Sequence, residues 1–369
     1  MELGLPLLSV EMENLKMKLR DQTKLRLRTL LFIGFISGMI GALYVGLTRS
    51  IKPIDLFHGY IVGVGVSLSI AASEMFFLRS WTKRRSFITA VLLRTAYFLM
   101  AIISVLLMAS VLFGKEGFET QKFGQLWGHP IAYNDILFSL LVSFLFSLFL
   151  QINGLIGAII LLSFFTGKYH QPIEEDRIFM FLDLKSSTTI AEKIGHINFH
   201  KFVNDFLFTI SEAIISSKGE IYKYVGDEVI ITWKLKEGLK GGNCIRLFFE
   251  ALDRIKQERE KFEKKYGMVP EFKAGIHCGK VVAGEMGDTK KEVAFLGDVI
   301  NTAARIEDEC NPRRRRLLIS DDLLQKTGQG KEYRYERIGE INLRGKVEKI
   351  DLYAVERNST QDLPSETSP

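Results

Sequence analysis

The chain has 369 residues, 47% of them hydrophobic and 25% charged, with a formal net charge of +6. That length holds two or three domains, and a mean hydropathy of +0.10 at that charge points to two unlike parts, one apolar and one charged. The basic excess does not by itself imply nucleic acid, because much of it flanks apolar stretches where Lys and Arg face anionic lipid. Cys244, Cys278 and Cys310 have no metal-ligand spacing and read as reduced thiols.

Residues 1–29 include a stretch, Glu11–Arg28, that reads as an amphipathic helix with a basic end, lying on the inner membrane face. No cleavable signal peptide is expected, since acidic residues and this helix precede the first apolar run. Four apolar stretches follow, Leu30–Leu47, Tyr60–Leu78, Phe87–Phe113 and Ile136–Phe165, within a membrane domain spanning 30–166. Each is long enough to cross ~30 Å of hydrocarbon as a helix. The last is over-long: one tilted helix running into a stalk, or a span broken near Gln151-Ile152-Asn153-Gly154. Basic residues at the N-terminus and at Arg79–Arg85 place those loops, and the rest of the chain after four spans, on the cytoplasmic side of the cell membrane. Glu74 and Arg94 lie at similar depth in neighbouring spans and either pair or snorkel to the headgroups.

Gly167 and Pro172 punctuate a linker at 167–176. A mixed pattern of strands and helices then runs over 177–357, without the strict alternation of a parallel sheet, so the fold class is α+β with a largely antiparallel sheet covered by helices. The tail, 358–369, is polar and reads as disordered.

This second part is organised around Arg177–Ile231. A strand ends in Asp183, and a hairpin, Gly219–Ile231, carries Gly226-Asp227-Glu228 at its tip. Alone, Asp183 would be a helix N-cap and Asp227 a turn residue. Together they read as two hard oxygen ligands at adjacent strand ends, an arrangement that suits Mg²⁺ completed by phosphate oxygens. Glu228 reads as facing water. Lys273–Glu285 reads as two strands around a Gly-rich turn. Asn301 and Arg305 are four apart and share a helix face, where an amide and a guanidinium could hold a sugar and a phosphoryl oxygen. Arg313–Arg316 reads as a solvated loop, and no nucleic-acid partner is expected.

From Arg177 to Val355 the chain resembles the catalytic domain of class III nucleotidyl cyclases. The matching pieces are Phe181-Leu182-Asp183, Lys223–Asp227, Ala274–His277 with Gly279, Gly297–Arg305 and Leu343–Lys346. The resemblance implies a ferredoxin-like or palm-like sheet, a head-to-tail homodimer with shared sites, and the conversion of ATP to cyclic AMP and pyrophosphate. It implies two Mg²⁺ or Mn²⁺ per site, held by Asp183, Asp227 and the backbone carbonyl of Leu184. Lys185, Ser186, Ser187 and Thr188 would cradle phosphates through their amides. Lys223 would contact the purine, Asn301 the ribose, Arg305 the α-phosphate and Lys346 the terminal phosphates; Lys273 sits where the family often has an Arg near the phosphates. The second base-reading position is Ala294, which offers no side-chain hydrogen bond, so ATP is expected with reduced strictness over GTP. The competing expectations are a guanylate or dual-specificity cyclase, or a membrane sensor or scaffold with an inactive cyclase-like domain.

Overall fold

The computed structural model describes residues 30–47, 51–74, 85–113, 137, 140–141, 143–152, 163, 166–289, 291–330, 332–342 and 349–358. The chain divides into two compact units, Met1–Ala158 and Ile159–Pro369.

Among the described residues of the first unit, three helices are long and apolar enough to cross a membrane: α1 (Leu30–Leu47), α2 (Pro53–Ser73) and α3, whose span is Phe87–Val105 within Phe87–Phe113. A fourth apolar helix, α4 (Ser143–Ile152), is shorter, and the remainder of the expected span 136–165 lies mostly outside the described residues, as does the basic segment 1–29. The second span begins at Pro53 rather than Tyr60. Pro at the first helical position, after an extended Lys52, starts the helix inside what reads in sequence as a loop. α1 and α2 meet backbone to backbone. A Cβ on Gly41 would lie 2.3 Å from the Gly59 carbonyl oxygen, and one on Gly63 would lie 2.3 Å from that of Ser37. Of the two fates open to Glu74 and Arg94, pairing is the one observed: Arg94 Nε lies 2.8 Å from Glu74 Oε1, and a guanidinium NH₂ donates to Gln151 of α4.

Among the described residues, the second unit forms an eight-stranded sheet with helices on both faces. In chain order it comprises β1 (Ile173–Leu184), α5 (Ser187–Ile194), α6 (His196–Ser216), β2 (Glu220–Val225), β3 (Glu228–Lys234), α7 (Leu235–Leu239), α8 (Asn243–Gln257) and α9 (Arg259–Tyr266). Then come β4 (Phe272–Met286), β5 (Glu292–Leu296), α10 (Asp298–Asp308), β6 (Leu317–Ser320), α11 (Asp321–Thr327), β7 (Tyr333–Asn342) and β8 (Lys349–Arg357). The strand order is β2-β3-β1-β4-β6-β8-β7, with β5 pairing the far end of β4; all pairings are antiparallel except β4 with β6.

β1 is central and buried on both faces, as its unbroken apolar run requires. Ile178, Met180, Leu182 and Leu184 face one core with residues of α6 and α8. Phe179 and Phe181 face the other, with Val299 and Ala303 of α10 and with Phe295 of β5. The expected linker contributes to this fold. Ile173–Asp176 are strand residues paired with Lys280–Ala283, and Tyr169 is buried among the second core. Arg177, fully buried, ties these pieces together. It pairs with Glu175 (2.7 Å) and Glu220 (2.8 Å), donates to the Tyr169 hydroxyl (3.1 Å) and lies 4.5 Å from the centre of the Phe295 ring.

Lys273–Glu285 is not two strands around a turn but part of one 15-residue strand, β4. Its glycines serve close approach instead. A Cβ on Gly275 would sit 2.2 Å from the Glu307 nitrogen, and one on Gly279 would sit 2.7 Å from Val299 Cγ2. α10 therefore lies directly on β4, its N-terminal turn over Gly279 and its last turn over Gly275.

Candidate active site

The register of the sheet sets the carboxylates side by side. β1 pairs β3 with Leu182 opposite Val229, so the next residue, Asp183, meets the β2–β3 turn formed by Gly226 and Asp227. Gly226 takes φ 64°, a left-handed conformation that glycine adopts without strain. Asp183 lies within hydrogen-bonding reach of Asp227. Burial, the Asp227 charge and then Glu307 push the Asp183 carboxyl up to about 7, against a pull downward from Lys273. Asp227 Oδ2 is buried without a hydrogen-bond partner. A pair of crowded, partly dehydrated carboxylates with an orphaned oxygen fits a divalent cation, whose hard-oxygen preference they match. Among the described residues no three His, Cys, Asp or Glu side chains enclose an ion. Backbone carbonyl, water or phosphate oxygens would suit the remaining positions around a hard divalent ion.

Glu228 is half-buried rather than turned to water. Burial and the charges of Glu307, Asp183 and Asp227 push it up to about 7. Glu307 itself escaped notice in the sequence. It is 4% exposed on the β4-facing side of α10, and its Oε1 lies 2.6 Å from Lys273 Nζ. The available signal was its place in the helix: Val299, Ala303 and Ile306 mark that side as buried, so an acid there needs a partner. Lys273 stands opposite Asp183 in the β1–β4 register, is 5% exposed, and lies 3.6 Å from Asp183 Oδ2. It sits beneath the carboxylates as their counter-charge.

Asn301 is exposed and Arg305 half-buried, on the side of α10 opposite Ala303 and Glu307. Within one chain the amide and guanidinium therefore turn away from Asp183 and Asp227. Lys223, on β2, lies 3.4 Å from Glu292 of β5, the strand that carries Ala294. Tyr222 packs on Phe295 at 5.1 Å between ring centres, which fixes β5 against β2.

β1 runs out at Leu184, and Ser186 takes φ 57° before α5, with no side-chain cap on that helix. The Lys185 amide is already spent, donating to the Glu271 carbonyl at 2.8 Å, so Ser187 and Thr188 at the helix start are the better placed for an anion. Lys346 lies outside the described residues. In the basic run, Arg313, Arg315 and Arg316 each face a carboxylate, Glu309, Glu336 with Glu356, and Glu271 respectively.

Residues 169–357 match the family described as Adenylate and Guanylate cyclase catalytic domain. "Adenylate cyclase 2" of Rhizobium meliloti (strain 1021) is 32% identical over 228 residues, 62% of this chain and 63% of that protein. "Adenylate cyclase" of Anabaena cylindrica is 28% identical over 180 residues, 48% of this chain and 36% of that protein. "Retinal guanylyl cyclase 2" of Homo sapiens is 30% identical over 170 residues, 45% of this chain and 15% of that protein. The chain thus spans less than two thirds of the length of these relatives. The solved structure of a bacterial light-regulated adenylyl cyclase shares the fold, with a TM-score of 0.51 at 23% identity over 58% of this chain and 62% of that one. With half of its length matched by the family and two carboxylates meeting at the ends of β1 and the β2–β3 hairpin, the chain belongs to the family of adenylate and guanylate cyclase catalytic domains.

Proposed function

We propose that the protein is a membrane-anchored adenylate cyclase that converts ATP to 3′,5′-cyclic AMP and pyrophosphate as a homodimer. The observation that carries this is the meeting of Asp183 and Asp227, whose mutual repulsion calls for a cation. Mg²⁺ or Mn²⁺ held there, with the Leu184 carbonyl, would supply activation of the ribose 3′-OH and neutralisation of phosphate charge.

The chain's own groups do the rest. Arg305 stabilises charge that builds on the α-phosphoryl oxygens, and Asn301 orients the ribose. Ser187 and Thr188 present amides to the phosphates at the start of α5, and Lys346 holds the terminal phosphates. Because Asn301 and Arg305 turn away from the carboxylates of their own chain, each site would be shared: carboxylates from one subunit, and Lys223, Ala294, Asn301, Arg305 and Lys346 from its partner. The apolar helices α1–α3 anchor the protein in the cell membrane, and with α4 as part of a fourth crossing the even number returns the cyclase unit to the cytoplasmic side, where the basic N-terminal segment also lies. The test is cyclic AMP formation from ATP by the full-length protein in membranes with Mg²⁺ or Mn²⁺. Asp227→Ala should abolish it, and undiminished turnover would refute the assignment.

One observation favours a second reading, dual specificity. Lys223 and Glu292 make a donor beside an acceptor. Such a pair fits adenine through N1 and the exocyclic amine, and equally guanine through O6 and N1–H. Turnover of GTP at a rate near that of ATP would select this reading.

A further inference from the structure

We propose that Glu307 is a positioning residue that holds the Lys273 ammonium off Asp183 and so keeps that carboxylate open to a divalent cation. The inference rests on the reading of Asp183 and Asp227 as metal carboxylates.

Lys273 has two acidic neighbours and is closer to one of them. Its Nζ lies 2.6 Å from Glu307 Oε1 but 3.6 Å from Asp183 Oδ2. Both members of the pair are almost fully buried, so no solvent competes for either charge. The register fixes Lys273 directly across from Asp183, so without Glu307 that carboxylate is the nearest anion left to it. The position of Glu307 is equally fixed. Its backbone nitrogen lies where Gly275 leaves room for it, and two residues upstream of Gly275 on the same face of β4 is Lys273 itself. Farther along, Cys310 Sγ reaches the Ala274 carbonyl at 3.3 Å and pins the segment after α10 to the same strand. A lysine ammonium in contact with Asp183 would compete with a metal ion for the same oxygens. Glu307 removes that competitor without touching the metal position, and the charge it adds is cancelled by the lysine it holds.

The experiment is Mn²⁺ binding by the full-length protein in nanodiscs, read without turnover as the loss of the free Mn²⁺ paramagnetic resonance signal. Glu307→Gln should weaken Mn²⁺ binding about tenfold or more, because Lys273 moves onto Asp183. Lys273→Met combined with Glu307→Gln removes the competing ammonium along with the acid and should return Mn²⁺ affinity to within about threefold of the parent protein. Lys273→Met alone strands Glu307 but leaves no ammonium to move onto Asp183, so it should keep Mn²⁺ affinity within about threefold of the parent, whereas a purely structural role would weaken it as Glu307→Gln does. Should Glu307→Gln alone fail to fold, the double variant, which leaves no charge stranded, decides alone: weak Mn²⁺ binding in it overturns the proposal. Parent-like Mn²⁺ affinity in a folded Glu307→Gln protein also overturns it. Asp227→Asn separates the two levels. If it loses Mn²⁺ while Glu307→Gln keeps it, only the role of Glu307 fails; if Asp227→Asn binds Mn²⁺ as the parent does, the carboxylate reading fails as well.

Discussion

Gly275→Ala adds one methyl group at the point where α10 rests on β4. The new Cβ would lie 2.2 Å from the Glu307 nitrogen, 2.6 Å from its Cα and 2.8 Å from the Ala303 carbonyl oxygen. All three are backbone atoms, so no side chain can rotate aside, and the last turn of α10 must lift by about 1 Å to restore van der Waals contact. Overpacking of this kind costs about 1–3 kcal/mol, and the rigidity of the contact argues for the upper end. For a unit of this size, 3 kcal/mol lowers Tm by about 6–12 °C. The same lift displaces Asn301 and Arg305, and misplacement of that order can cost about 100-fold in rate. Gly279→Ala is the internal comparison, since its Cβ meets only the Val299 Cγ2 methyl, at 2.7 Å, which a rotamer change can relieve. Thermal unfolding and cyclic AMP kinetics on both variants in membranes give the answer. If Gly275→Ala matches the parent in Tm and kcat, or is no worse than Gly279→Ala, then α10 is not seated on this glycine and the argument from close approach is refuted.

In the membrane unit, Glu74→Gln and Arg94→Gln should be coupled by about 1–2 kcal/mol in a double-mutant cycle of detergent-induced unfolding, and additive effects would show that the 2.8 Å pair contributes nothing. Ala294→Asp restores an acceptor for the adenine amine and should raise the ratio of kcat/KM for ATP over GTP about tenfold, so an unchanged ratio would place base reading elsewhere. Burial raises the Glu175 carboxyl, but its hydrogen bonds to Lys168 and Arg177 outweigh this and hold it below its ordinary 4.5. A depressed folded-state value stabilises the fold above 4.5, and that stability is lost as pH falls through the folded value. Glu175→Gln should therefore lower Tm at neutral pH and flatten its decline below pH 4.5, and parallel pH profiles for the two proteins would contradict this.

The carboxylate pair was legible because strand ends and hairpin tips are marked by local residue types: a run of Ile, Phe, Met and Leu closing on Asp183, and Gly-Asp between two β-branched stretches. The Asn301–Arg305 helix face was legible from its spacing. What escaped depends on contacts between segments distant in sequence. Gly275 and Gly279 look like a turn until a helix is seen lying on them, and only then does β4 read as one strand. Lys273 and Glu307, 34 positions apart, become a pair only through that same contact. Glu228 reads as facing water because a hairpin tip is usually exposed; here it is half-buried, with the charges of Glu307, Asp183 and Asp227 acting on it. The second span reads as starting at Tyr60, where the apolar run begins, although proline at position 53 is at home at the first position of a helix. The apolar stretches were legible from hydropathy, and three of the four coincide with described helices long enough to cross, while the described part of the fourth is the ten residues of α4.

The buried arginine at the head of β1 has a practical consequence for anyone wishing to excise the enzyme unit. A cut at Arg177 would discard Tyr169 and Glu175, two of the groups that neutralise or cradle its guanidinium, and would strip Lys280–Ala283 of their neighbouring strand. It would leave a buried cation with Glu220 but without its second carboxylate, and an open β edge, a recipe for insoluble product. A boundary ahead of Lys168, whose ammonium caps Glu175 at 2.5 Å, keeps the whole cluster intact.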